Sequence, residues 1–181
     1  MTLNADDASA ALAEIDSITR RVKQSSIYRT SSLIVIGWGV LVVSGNLAAL
    51  FTGRWAGAVW IAINLLGVGM TIALLLRSRQ AGVAPLRVLA AFALLFAFGL
   101  VWSILLGKMG PREQDAFWPT LFLFSYAMAG LFFGRAFTLL GVGLAVLIVA
   151  GYEWIGAGYE LYLALVNGGG LMLCGYWMRR A

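Results

Sequence analysis

From about Ser31 onward the chain is a succession of six apolar stretches, and none carries a Lys, Asp or Glu near its middle. A hydrocarbon core about 30 Å thick takes roughly 20 apolar residues of α-helix to cross, at 1.5 Å per residue. The stretches predicted to do so are 31–51, 55–76, 86–107, 117–134, 136–154 and 159–178. Barrel strands would alternate strictly over about ten residues, whereas residues 33–43 and 139–150 are apolar on every side. In lipid every backbone polar group must be paired internally, so helices are the only other solution. The expected fold is an all-α integral membrane protein, a six-transmembrane-helix bundle over 31–181 preceded by a cytoplasmic or interfacial amphipathic helix within 1–30. The composition agrees, with 61% of residues hydrophobic and only 12% charged.

Lys and Arg are retained on the cytoplasmic side of a membrane. Placing the N-terminus inside puts Arg20, Arg21, Lys23, Arg29, Arg77, Arg79, Arg87, Arg135, Arg179 and Arg180 in the cytoplasm and leaves only Arg54, Lys108 and Arg112 outside. Both termini are therefore predicted to be cytoplasmic. The net charge of +5 reads as topology plus attraction to anionic lipid, and no nucleic-acid partner is expected, since no basic run is interleaved with stacking aromatics. The first thirty residues are polar and the first apolar run exceeds a signal-peptide core, so that run is expected to be an uncleaved anchor.

Ahead of the first span, Ala8, Ala11, Ile15, Ile18 and Val22 recur at spacings of three and four, which lays one apolar stripe along a helix. Asn4 can cap it, and Asp6 and Asp7 suit its first turn. Arg20, Arg21 and Lys23 bring positive charge near its other end. Residues 5–28 are thus expected to be helical. They are read either as an interfacial helix on the inner leaflet, or as a docking helix for a cytoplasmic partner or for the same helix of a second protomer. Ile15, Ile18, Arg20, Arg21, Val22 and Lys23 are the candidate partner or lipid contacts.

Within the spans, small residues mark where helices approach: Gly130 with Gly134, Gly141 with Ala145, and the run Gly168 to Gly170. The run is either a packing face or a break whose freed backbone lines a site. Gly37, Gly39, Asn64 and Gly67 echo Gly141, Gly143, Asn167 and Gly170, the outline of a repeated hairpin. Asn46, Asn64, Tyr126 and Asn167 are read as interhelical hydrogen-bonding groups or as the lining of a small polar pocket. Glu153 and Glu160 flank the last outer loop among Tyr152, Trp154, Tyr159 and Tyr162, an aromatic belt with two wet carboxylates and a candidate outer-face contact for a cation or headgroup.

The strongest functional statements are exclusions. The chain has no His and a single Cys, Cys174, which removes the imidazole base, a His-ligated haem, a zinc site and an internal disulfide. The two lysines, Lys23 and Lys108, lie near or beyond span ends, so no Schiff-base lysine sits inside the bundle. The acidic residues are dispersed and none lies mid-span, which argues against magnesium-dependent phosphotransfer and proton-coupled transport. No cofactor, metal or catalytic residue is expected. From Leu12 to Gly45, with Glu14, Ile15, Ile18, Ser25 and Ser26 ahead of an apolar span, the chain resembles the opening of uncharacterised small bacterial six-span membrane proteins with an amphipathic N-terminal helix. The resemblance implies the bacterial inner membrane and no activity. Two functions are carried forward: a non-enzymatic assembly, accessory or regulatory module, subunit of a membrane complex or homo-oligomer, that contacts its partner through the N-terminal helix; and a small transporter or channel for an uncharged or lipid-like solute.

Overall fold

The computed structural model describes residues 5–78 and 85–180, apart from the side chains of 5–13, 16–28, Pro85 and Phe133. The described residues form helices and no strands: α1 (Ala5–Thr52), a 3-10 turn (Gly53–Trp55), α2 (Ala56–Ser78), α3 (Pro85–Leu100) continuing as a π-helix (Val101–Leu106), α4 (Pro111–Phe133), α5 (Arg135–Trp154), and α6 (Tyr159–Leu163) joined to α7 (Gly170–Arg180) by a second π-helix (Ala164–Gly169). Asn4, the expected cap, lies outside the described residues.

Among the described residues the uninterrupted helical runs number five, not the six expected, because α1 passes into α2 through the 3-10 turn with no coil between them. Among the described residues four stretches are long and apolar enough to cross a membrane: Arg29–Ser78, Leu86–Leu106, Arg135–Trp154 and Tyr159–Arg180. The expected span at 117–134 is not among those found in the described residues, which leave out the Phe133 side chain; its helix, α4, opens with Arg112, Glu113 and Asp115 and turns apolar from Ala116 onward.

The expected division near residue 30 is not marked by a break. Helix α1 is 48 residues long, about 72 Å at 1.5 Å per residue, and it carries the N-terminal segment and the first apolar stretch on one axis. No Gly or Pro precedes Gly37, so nothing in the covalent chain interrupts the hydrogen-bond ladder there. The chain reverses only at Gly53, whose φ of +50° is readily reached without a Cβ.

Helix α1 is the element on which its neighbours meet. Toward α2, Gly67 lies beneath the Trp38 ring, and Gly45 has the Trp60 ring 3.1 Å from where its Cβ would stand. The Trp38 indole N–H donates to Thr71 Oγ1 at 3.0 Å, and the Thr71 hydroxyl donates to the Gly67 carbonyl at 2.8 Å. Both side chains are buried. Toward the last helix the backbones nearly touch: a Cβ on Gly39 would stand 2.7 Å from the Gly168 carbonyl oxygen, and one on Gly175 2.9 Å from that of Ser32. The run Gly168 to Gly170 therefore does not break the helix. It lies at the end of a π-helical turn, and Gly168 provides the close approach.

Helices α4 and α5 form a tight hairpin turned at Gly134 (φ +135°), with Gly130 packed on Thr138 and Gly141 on Leu123 and Ala127. Gly134 is thus the turn residue rather than half of a packing pair with Gly130. A panel of rings joins α1, α3 and α4: Trp38 with Phe92 at 5.9 Å and Phe122 at 6.3 Å, and Phe96 with Phe122 at 5.4 Å and Trp118 at 5.7 Å between centroids. Positions matched in the proposed hairpin repeat make unlike contacts, since Gly39 is closely packed while Gly143 faces open space.

These pairings sort the charges. Arg29, Arg77, Arg87, Arg135, Arg179 and Arg180 come to one end of the bundle and Arg54, Lys108 and Arg112 to the other, all exposed. Between the ends, Leu65, Leu105, Leu139 and Leu173 are each at least 65% exposed, an apolar outer surface compatible with lipid contact.

Replacing Gly39 by Leu is expected to lower stability by about 1 to 3 kcal/mol, the usual cost of overpacking, because a backbone carbonyl cannot rotate away as a side chain can. Gly69, with nothing within 4 Å of its Cβ position, is the control. Detergent-titrated unfolding should separate Gly39→Leu from Gly69→Leu, and equal behaviour would contradict the close approach.

Candidate functional site

None of the four residues read as a polar pocket lines either of two open grooves, one at Met70 to Arg77 and one at Met109 to Tyr152. The Asn46 side-chain amide is buried and donates to the Val42 carbonyl at 2.9 Å, and that of Asn64 donates to the Trp60 carbonyl at 2.8 Å. Each bond closes on its own helix, one turn back. Asn167 is buried within the π-helical turn of the last helix. Helix α1 packs α2, which carries Asn64, and the last helix, which carries Asn167. Tyr126 stacks on Phe137, with centroids 6.4 Å apart and planes 8° off parallel.

A polar constellation forms at the other end, where α4 begins and α5 ends. Arg112 donates through Nη2 to the carbonyl oxygens of Tyr152 and Ile155, both at 2.7 Å. A cation belongs there, since the last carbonyls of a helix are unpaired and carry partial negative charge. Its guanidinium also lies 5.3 Å from the Tyr152 ring centroid and 5.6 Å from that of Tyr159. Tyr159 and Tyr162 then reach back along α5, donating hydroxyl protons to the Ile148 carbonyl at 3.2 Å and the Leu147 carbonyl at 2.7 Å. Beside them an open groove of about 280 Å³ is lined by Met109, Glu113, Phe117, Val149 and Tyr152, among others.

Asp115 sits one turn into α4. Burial pushes its carboxyl up to about 6, and the Glu160 carboxylate adds to the rise. Pro119, four residues on, has no N–H to give the Asp115 carbonyl. Glu153 and Glu160, the residues expected at this face, are both exposed and are separated by the turn at Gly158, whose φ is +96°. Sequence reasoning assigned Arg112 only a side of the membrane and gave Asp115 no role. The available signal was an arginine one turn ahead of an apolar helix, close in topology to an aromatic belt, but its targets are carbonyls 40 residues away or more.

The N-terminal candidates lie on α1. Ile15 is 58% exposed; the side chains of Ile18, Arg20, Arg21, Val22 and Lys23 lie outside the described residues. The helical backbone through these positions is described, which places them on one continuous axis with Arg29 and the apolar stretch beyond.

The fold and its surface define a class, an all-helical protein with several long apolar helices. No protein-family model, no curated protein and no solved structure matches the chain.

Because the folded pKa of Asp115 lies above its ordinary value, its contribution to stability is full at low pH and is lost as pH rises from about 4 through about 6. The parent protein is therefore expected to unfold at a lower temperature at about pH 7.5 than at about pH 5, and Asp115→Asn to remove most of that difference. Thermal unfolding of both proteins by intrinsic fluorescence checks this. An equal pH response in the two would contradict it.

Proposed function

We propose that the chain is a non-enzymatic integral protein of the bacterial inner membrane, crossing it six times with both termini in the cytoplasm, and that it serves as an accessory or assembly module. The hairpin of α1 and α2 supplies two crossings within one helical run, and α4 supplies one despite its less apolar opening. The observation that carries the functional reading is the continuity of α1. A helix firmly packed from Ser32 onward continues toward the N-terminus for about 27 residues, or about 40 Å, with Arg20, Arg21, Lys23 and Arg29 along its way. Such a projection suits presenting a surface to a cytoplasmic partner. The carrier reading finds less support, because the amides of Asn46 and Asn64 are bonded within their own helices.

Two measurements follow. In a Cys174→Ser background, a cysteine at Ala157 should react with a membrane-impermeant maleimide on intact cells, and one at Ser9 only after permeabilisation. Reaction of both on intact cells would contradict the orientation. Deleting residues 1–28 should leave a folded bundle, judged by gel filtration and helicity, while abolishing recovery of cross-linked partners from native membranes. Unchanged recovery would contradict the accessory role.

A further inference from the structure

At the arginine-rich end of the bundle an open groove of about 470 Å³ runs along α2. The described residues that line it are Met70, Ala73, Leu74, Leu76 and Arg77. Met70, Ala73, Leu74 and Arg77 stand at positions i, i+3, i+4 and i+7, so they share a single face of the helix. Met70 also lies on Gly37 of α1, which sets the deep end of the groove against the seam between α1 and α2. From Met70 to Arg77 the helix rises about 10 Å, most of the roughly 15 Å of hydrocarbon in one leaflet. The walls are hydrocarbon and one thioether, and the exposed guanidinium of Arg77 stands at the rim.

Charge selects the occupant. Arg29, Arg77, Arg87, Arg135, Arg179 and Arg180 collect at this end, whereas Glu113, Asp115, Glu153 and Glu160 belong to the opposite one. Inward of Arg77 the described lining has no polar side chain, so a small water-soluble anion would leave its hydrocarbon surface uncovered. A molecule that fills the groove is apolar along most of its length and anionic at one tip. Resting on the reading that this end faces the cytoplasm, we propose that the groove binds an anionic phospholipid of the cytoplasmic leaflet, one acyl chain along Met70, Ala73 and Leu74 and the phosphate against Arg77. A basic side chain at this interface attracts an anionic headgroup, and the unbranched Met70 adapts to the contour of a flexible chain. The other arginines raise the local density of anionic lipid; among the described residues only Arg77 joins that charge to the apolar wall.

The test adds dioleoylphosphatidylglycerol or dioleoylphosphatidylcholine, identical in their chains, to the full-length protein in detergent and reads the retained lipid by native mass spectrometry. Phosphatidylglycerol is expected to be retained at least about fivefold more readily, the discrimination that one interfacial arginine supplies. Arg77→Gln should remove that preference, and Ala73→Trp, which fills the groove from an exposed position, should abolish retention of both lipids. Arg180→Gln is the control at the same end, since that guanidinium lies on the Tyr176 ring, and it should change the preference less than about twofold. Equal retention of the two lipids by the parent protein would overturn the proposal, as would equal effects of Arg77→Gln and Arg180→Gln. So would displacement of the lipid by excess glycerol phosphate, which carries the anion without the chain, or a polypeptide, a second copy of this chain included, retained in its place and lost with Ala73→Trp. The lipid readout is independent of orientation. If maleimide labelling holds and the lipids are retained equally, the topology stands and this site falls; if labelling reverses the sides, the assignment to the cytoplasmic leaflet falls whatever the lipid preference.

Discussion

The contact on which the rest depends is the near-touch of α1 and the last helix at Gly39, Gly168 and Gly175. Between apolar helices in lipid the hydrophobic effect gives no net drive to associate, because lipid tails are as apolar as leucine. Dispersion at short range must do it, and that range is reached only where side chains are absent. On its α2 side, α1 uses a different device: the Trp38 indole covers Gly67 and is fixed by the Thr71 hydroxyl. With glycine against backbone on one side and a ring over glycine on another, α1 holds both neighbours.

The two ends of the bundle then take opposite characters. At one, arginines from five helices collect around the base of the N-terminal part of α1. At the other, Arg112 closes the end of α5 while Tyr152 and Tyr159 lie against its guanidinium. The second arrangement is self-satisfied: its cation is spent on carbonyls, its tyrosine hydroxyls on the same helix, and burial pushes the Asp115 carboxyl up to about 6. That end reads as a clasp between α4 and the α5–α6 turn. At the first end α1 continues past its packing with the last helix.

What the sequence made legible was whatever depends on runs of neighbouring residues. The apolar stretches, the helical N-terminal segment and the turn between Glu153 and Glu160 are local, and each stands where the pattern placed it. Pairings were not legible. Gly168 was recognisable as a packing residue, but nothing in the chain names Gly39 as its counterpart; Gly134 has the spacing of a packing pair and serves as a turn. The Arg112 clasp joins residues 40 and 43 apart, and no periodicity signals it. The continuity of α1 is local too, since no Gly or Pro precedes Gly37, yet the change from polar to apolar composition near residue 30 reads as a boundary.

The continuity of α1 is open to direct measurement. Spin labels at Ser9 and at Leu47, a residue 41% exposed, stand 38 residues apart, which for one straight helix is about 57 Å. Pulsed electron spin resonance on the full-length protein in lipid nanodiscs should give a single narrow distribution near that length. A distribution centred near about 40 Å, as a right-angle bend around residue 30 would produce from arms of the same rise, would contradict the account.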